Sequence, residues 1–208
     1  MKERPILFNA EMVQAILSGR KTQTRRVIKL PLIDKNMGCE LSGNELAGEV
    51  SAGDYRNCPL GQPGDQLWVR ETFATGLCTK TTKAYKATHK AEDLEEGWLE
   101  KIKWRPSIHM PRWASRIQLE ITNVGVQRLQ DISSGDVVRE GICQLPASGR
   151  YCINPGDQYL GGASHDAREV FYWLWDSIYG GDSKQCWKAN PWVWVAEFKL
   201  LAPAGEQP

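Results

Sequence analysis

Apolar and polar positions follow two rhythms along this chain. Met12, Val13, Ile16 and Leu17 recur at helical spacing behind Asn9, a good N-cap, with Gly19 as the stop. That spacing predicts a short amphipathic helix over residues 10–18, after a first strand from Arg4 to Phe8. Further on the period falls to two. Ile117, Leu119 and Ile121 alternate with Arg116, Gln118 and Glu120, which predicts a long half-buried strand over Ser115 to Leu129, broken near Asn123 to Gly125. Leu67 to Phe73 reads as a strand after the turn Gly61-Gln62-Pro63-Gly64-Asp65, and Lys83 to Thr88 as a shorter one. Trp192 to Leu200 is nearly all apolar, the mark of a central strand. Two helices complete the pattern. One is capped by Ser133 or Ser134, runs through Val137 and Val138 to Glu140, and stops at Gly141. The other is capped by Ser164, carries Val170, Phe171, Leu174, Trp175 and Ile178 on one stripe, and ends at Gly180-Gly181.

The segments between have no sustained period. Residues 30–62 read as a long loop with one small hairpin, 90–103 as an acidic exposed excursion, and 143–163 as a Gly/Pro-rich loop. Trp104-Arg105-Pro106-Ser107-Ile108-His109-Met110-Pro111-Arg112-Trp113 is different. Its prolines bar a regular helix or a central strand, so it is expected to be a rigid loop carrying Trp, Arg and His side chains. Scattered strands with short helices between them predict a single α+β, barrel-like domain. The chain has no internal repeat, no heptad pattern and no glycine-rich phosphate loop of the Walker or dinucleotide type.

Composition narrows the function classes. With Lys+Arg 26 against Asp+Glu 25, the net charge of +1 excludes a globally polybasic binder but leaves room for a local basic patch. No apolar run has membrane-spanning length and no secretory leader is evident, so a cytoplasmic protein without membrane contact is expected. Six cysteines lack Cys-x-x-Cys spacing, so neither a metal nor a cofactor is expected. Two features remain. Arg20 to Lys29 holds five cations and no acid, a field that attracts phosphate. Nine tryptophans exceed the usual share. Trp68, Trp192 and Trp194 sit in strands and are assigned to the core, while Trp104 and Trp113, on the loop, suit stacking on a nucleobase.

Four blocks together resemble a known family. They are Ile16-Leu17-Ser18-Gly19-Arg20-Lys21-Thr22-Gln23-Thr24-Arg25-Arg26, Gly64-Asp65-Gln66-Leu67-Trp68-Val69-Arg70-Glu71, Leu129-Gln130-Asp131-Ile132 with Glu140-Gly141-Ile142, and Trp192 to Leu200. Their order and content resemble the ASCH domain family of the PUA-like superfamily, the first block being the most specific. With its Trp104–Ala114 segment the chain looks most like the longer, Trp-rich members encoded by phages and prophages.

The resemblance implies a small β-barrel with flanking short helices. It frames one domain over residues 1–208, core about 6–200, with insertions near 30–62, 77–103 and 143–163. It also implies a cleft for a nucleobase, a nucleoside or RNA. One compact branch of the family hydrolyses N4-acetylcytidine with a Lys, a Thr and a Glu. These carry over onto Lys21, Thr24 and Glu140. In that role Thr24 supplies the nucleophilic hydroxyl, Lys21 the base and Glu140 a proton relay. Arg20, Arg25, Arg26, Arg105, His109, Arg112, Trp104 and Trp113 are the expected substrate or nucleic-acid contacts. The rival readings are a non-catalytic module for RNA or modified DNA and a metal-independent ribonuclease. Parity sets one geometric condition. Lys21 and Thr24 would face opposite sides of a regular strand, so Lys21 must lie in the bend after Gly19, before the strand begins.

Overall fold

A computed structural model of the chain describes residues 1–76, 82–89, 102–154, 156, 159, 161–180 and 183–201. The most continuous apolar run becomes the strand that both hydrophobic layers share. The strands, in chain order, are β1 (Glu3–Leu7), β2 (Gln23–Val27), β3 (Leu32–Ile33), β4 (Glu40–Leu41), β5 (Gln66–Arg70), β6 (Phe73–Thr75), β7 (Lys83–Tyr85), β8 (Gln118–Arg128), β9 (Cys143–Gln144), β10 (Tyr151–Cys152), β11 (Ala163–Ser164) and β12 (Trp192–Leu200). Among the described residues the α-helices are α1 (Ala10–Leu17), α2 (Gly43–Ser51), α3 (Ser134–Arg139) and α4 (Ala167–Tyr179).

The main sheet has the order β1-β5-β8-β12-β2. β1 runs parallel to β5 and every other pairing is antiparallel. On one face Trp194 and Phe198 of β12 pack with Val13 and Ile16 of α1 and Leu46 and Val50 of α2. On the other face Val193 and Val195 meet Val137 of α3 and Val170, Phe171 and Trp175 of α4. Both faces of β12 are therefore covered, which is why its sequence does not alternate.

The long strand is continuous rather than broken. Glu197 pairs with Asn123 and Phe198 with Ile121, so Thr122 is left over as a bulge. The extra residue switches the inward positions from the odd series Ile117, Leu119, Ile121 to the even Val124, all in one core. Backbone pairing among the described residues leaves β1 and β2 as edges. A side chain spans them instead: the Arg26 Nη2 donates to the Leu7 carbonyl at 2.6 Å.

Several expectations need correction. Residues 30–62 hold the predicted hairpin, β3–β4, but also α2, which a Ser42–Glu45 capping box starts. The strand read over Leu67–Phe73 divides at Glu71-Thr72 into β5 and β6. The last helix is capped by Asp166, whose side chain accepts from the Arg168 N–H, and not by Ser164. The 143–163 loop contributes β9–β11, a small separate sheet. Most of the acidic excursion, residues 90–101, and residues 77–81 lie outside the described residues. Among the described residues, no helix is long and apolar enough to cross a membrane.

Candidate functional site

The Gly19 turn places Lys21. Asn9 caps α1 by accepting from the Met12 N–H at 2.8 Å, and Gly19, at φ +74°, reverses the chain after it. Three backbone bonds then pin the bend. Lys21 N–H donates to Ala15 at 2.9 Å, Thr22 N–H to Arg139 at 2.8 Å, and Phe198 N–H to the Thr22 carbonyl at 2.8 Å. Lys21 thus precedes β2, as the parity condition requires.

Glu140 is placed by the end of α3. A Ser133–Asp136 capping box starts that helix and Glu140 is its C-cap. Gly141 follows at φ +105°, and a Cβ there would stand 3.1 Å from the Ala15 Cβ and 3.2 Å from the Lys21 Cβ. Only glycine allows α1, the bend and α3 to approach this closely.

These elements bring two cations onto one carboxylate. Lys21 Nζ donates to Glu140 Oε2 and to the Glu140 carbonyl, both at 2.8 Å. Arg25 Nη1 donates to Glu140 Oε1 at 2.9 Å and to Gln23 Oε1 at 2.7 Å. Arg25 Nη2 lies 3.5 Å from Asp136 Oδ2, and Arg139 joins Asp136 at 3.3 Å and Glu197 at 3.7 Å. The centre is nearly dry: Lys21 is 2% exposed, Arg25 3% and Glu140 5%. Burial pushes the Lys21 pKa below the ordinary lysine value, while the adjacent Glu140 carboxylate pushes it back up. Gly141 and Ile142 line a crevice of about 20 Å³ beside Glu140, which Ile153 and Asn154 of the 143–163 segment help to close.

Thr24 alternates with Arg25 on β2 and so belongs to the opposite face, with Arg26. It is 3% exposed. On that side the Phe8 ring lies 5.7 Å from Lys21 Nζ and 5.2 Å from the Arg26 guanidinium carbon. Arg20 is half-buried and fixed to Ser18 Oγ at 3.2 Å and to the Gly141 carbonyl at 2.9 Å. Arg25 faces inward as the second partner of Glu140 rather than toward solvent.

The other expected contacts gather elsewhere, on the 104–114 loop. Two single turns of 3-10 helix, Ser107–His109 and Arg112–Ala114, follow its two prolines. Arg105 and His109 are exposed, Trp104 and Arg112 are half-buried, and Trp113 is 63% exposed. Arg70 reaches the Ile108 carbonyl and ties this loop to β5. Behind it, Arg116 clasps buried Glu71 with two bonds of 2.9 and 3.0 Å and lies 4.0 Å from the Tyr85 ring centroid.

Trp68 departs from its expected core place. It is half-buried on the outward face of β5, with the Arg70 and Arg112 guanidinium carbons 5.6 and 5.9 Å from its ring. Lys83 Nζ stands 5.4 Å from the Trp113 ring. Arg70 and Lys83 were missed as candidates. The parity of β5, with Leu67 and Val69 inward, was the available signal.

Neither a protein-family model nor a curated protein sequence matches the chain. Two solved structures are similar to it at low TM-score. One is protein EF3133 from Enterococcus faecalis V583, of the family model DUF984, with 10% identity and a TM-score of 0.43 over all of this chain and 85% of that one. The other is an ASCH domain from Lactobacillus crispatus JV V101, with 13% identity and a TM-score of 0.34 over 96% of this chain and 79% of that one.

Proposed function

We propose that the chain binds RNA or nucleosides, and that the surface around Trp68 and Trp113 is where bases and phosphates meet it. The observation that carries this reading is the interleaving of rings and cations there: Arg70 and Arg112 beside Trp68, and Lys83 beside the exposed Trp113. Indole faces stack on any base, and cations between them meet the backbone. Arg105 and His109, exposed on the same 104–114 loop, are further contacts in this reading. The Arg112–Glu3 ion pair at 2.8 Å is solvent-exposed and gives way at little cost. The same reading takes the five-stranded sheet as a small barrel, its β1 and β2 edges bridged by Arg26.

The test is fluorescence anisotropy of a labelled twelve-nucleotide single-stranded RNA against salt. Affinity falls steeply from about 50 to about 200 mM salt. Trp113→Ala weakens it about tenfold, the loss of one stacked base at ~1.4 kcal/mol. Salt-independent binding, or a Trp113→Ala variant that binds as the wild type does, refutes the assignment.

A second reading is favoured by the 2.8 Å contact between Lys21, in the bend before β2, and Glu140, with Thr24 following Lys21 by three residues in the chain. It makes this centre an amidohydrolase for N4-acylated cytidine. Thr24 Oγ adds to the acyl carbon and gives its proton to the Lys21 amine in its neutral form, which burial favours. The C–N bond breaks, and the cytidine amine leaves with a proton from the Lys21–Glu140 pair. Water then hydrolyses the Thr24 ester, releasing the carboxylate and restoring the hydroxyl. Incubation with N4-acetylcytidine, with cytidine followed by chromatography, tests it. Release by the wild type and by neither Thr24→Ala nor Lys21→Ala supports this chemistry; no release from folded protein removes this substrate.

A further inference from the structure

We infer a second binding site, a pocket for a phosphate group, between β1 and the 30–62 segment. A cavity of about 500 Å³ there is lined by Lys2, Arg4, Lys35 and Arg56, with Asp65 as the acidic lining residue. Four cations therefore line the pocket beside one lining carboxylate, while Asp54, Asp34 and Glu49 act on Arg56, so Lys2, Arg4 and Lys35 carry its free charge. Asp65 is itself occupied, accepting from the Lys2 backbone N–H at 2.7 Å. Arg56 is bound at the rim by Asp54.

Arg4 is the informative member. It makes no ion pair among the described residues, and its Nε is buried without a hydrogen-bond partner. A buried guanidinium N–H left open asks for an acceptor that the described residues do not supply. On β1, Arg4 shares its side with Ile6 and Phe8, so it points beneath the sheet, away from the Trp68 surface. Gly61 completes the cradle. At φ +119°, its Cβ would come 2.9 Å from Asp65 Oδ2 and 3.3 Å from Arg4 Nε, so any side chain there would press on the open donor.

The pocket is also held in shape before any ligand arrives. Buried Asn57 joins its two loops. Its Oδ1 accepts from the Lys35 N–H at 3.1 Å, and its Nδ2 donates to Asp34 Oδ1 at 3.1 Å and Glu49 Oε2 at 3.2 Å. Lys35 Nζ in turn donates to the Arg56 carbonyl at 2.7 Å. The clamp holds Lys35 and Arg56 next to each other in the pocket lining. Preorganised cations of this kind select a dianionic phosphate over a singly charged carboxylate. The 30–62 segment supplies two of the four cations and the glycine, which gives that segment a function of its own.

The phosphate belongs either to a free nucleotide or to an RNA strand, and competition separates them. The full chain, in about 25 mM salt, is titrated calorimetrically with inorganic pyrophosphate. Saturable binding is expected, weakened tenfold or more by Arg4→Gln and by Lys35→Gln, and unchanged by Lys199→Gln, which removes an exposed cation on β12. Competition by cytidine 5′-monophosphate assigns a nucleotide. Competition by a twelve-nucleotide oligouridylate alone assigns a strand. Circular dichroism checks folding, and exposed Lys35 carries the test if Arg4→Gln does not fold. The inference is overturned if pyrophosphate does not bind, or if both folded variants bind it as the wild type does. Pyrophosphate binding that persists while RNA fails to bind anywhere removes the nucleic-acid reading and leaves the pocket standing.

Discussion

Glu140→Gln tests the electrostatic account of the buried centre. The substitution keeps the volume and leaves one acceptor oxygen, but turns an NH2 group toward one of two buried cations. Removing one partner of a buried ion pair costs about 3 kcal/mol at the lower end of measured cases. For a domain of this size that lowers Tm by about 6–12 °C. The pH dependence is more diagnostic than the magnitude. Burial already pushes Lys21 down, and Glu140 opposes that shift. Without the carboxylate the folded-state value falls further, while the unfolded value stays about 10.4. Between those two values the unfolded chain binds more protons than the folded one, so stability rises with pH across the window. Below the window the cost of burying the ammonium is present in full. The Tm gap between wild type and Glu140→Gln is therefore widest near neutral pH and narrows toward about pH 10. Thermal melts at several pH values measure it. A companion variant adds a sign. Lys21→Met placed on Glu140→Gln removes the stranded cation and recovers part of the lost stability. A gap that stays constant with pH, or a double variant less stable than Glu140→Gln alone, would falsify the reasoning.

Two further substitutions probe the frame around this centre and the loop surface. Gly141→Ala places a Cβ at a positive φ and 3.1 Å from Ala15, and is expected to cost about 2 kcal/mol, read as a Tm loss of several degrees. A melt matching the wild type would mean that the α1–bend–α3 contact is loose. Glu71→Gln breaks the two-bond clasp on Arg116 and loses about 3 kcal/mol in a urea melt. It also weakens RNA binding if the 104–114 loop is held by that clasp; unchanged RNA affinity would detach the loop surface from it.

How far the sequence predicts the molecule depends on how many residues carry each signal. α1, α3 and β12 were legible because a cap, a period and a stop agree over six to nine residues. β9, β10 and β11 have two residues each, too few for any period to show. α2 was missed because two glycines and the lone pair Leu46 and Val50 give a weak stripe, although Ser42-x-x-Glu45 was there to be read. At the centre, the Lys21 bend followed from parity alone. Arg25 did not. A strand residue's face is set by what covers it, and the carboxylates that bury Arg25 lie 111 and 115 positions away, at Asp136 and Glu140. Trp68 erred the other way. Large rings were assigned inward by hydrophobicity, whereas the face of β5 turned to solvent uses Trp68 as a plate between arginines.

The buried centre poses a choice between a lock and an engine, and the 143–163 segment allows the two to be separated. As a lock, Lys21, Arg25 and Glu140 tie α1, β2 and α3 together, and their burial is the purpose. As an engine, the same burial tunes Lys21, and the crevice of about 20 Å³ beside Glu140 is a closed door, since a nucleoside needs several times that space. Ile153 stands at that door and packs against the α4 core without belonging to its buried centre. Ile153→Ala widens the crevice without touching an ion pair. On either account it costs about 1–2 kcal/mol of stability, below the fully buried range because the side chain is only half-buried. The accounts part on turnover. An engine behind a door releases cytidine from N4-acetylcytidine faster after the truncation, and loses that gain when Thr24→Ala is added. A lock loses the same stability and releases none. Comparing the two variants at equal folded fraction removes stability from the comparison, so the rate difference alone decides.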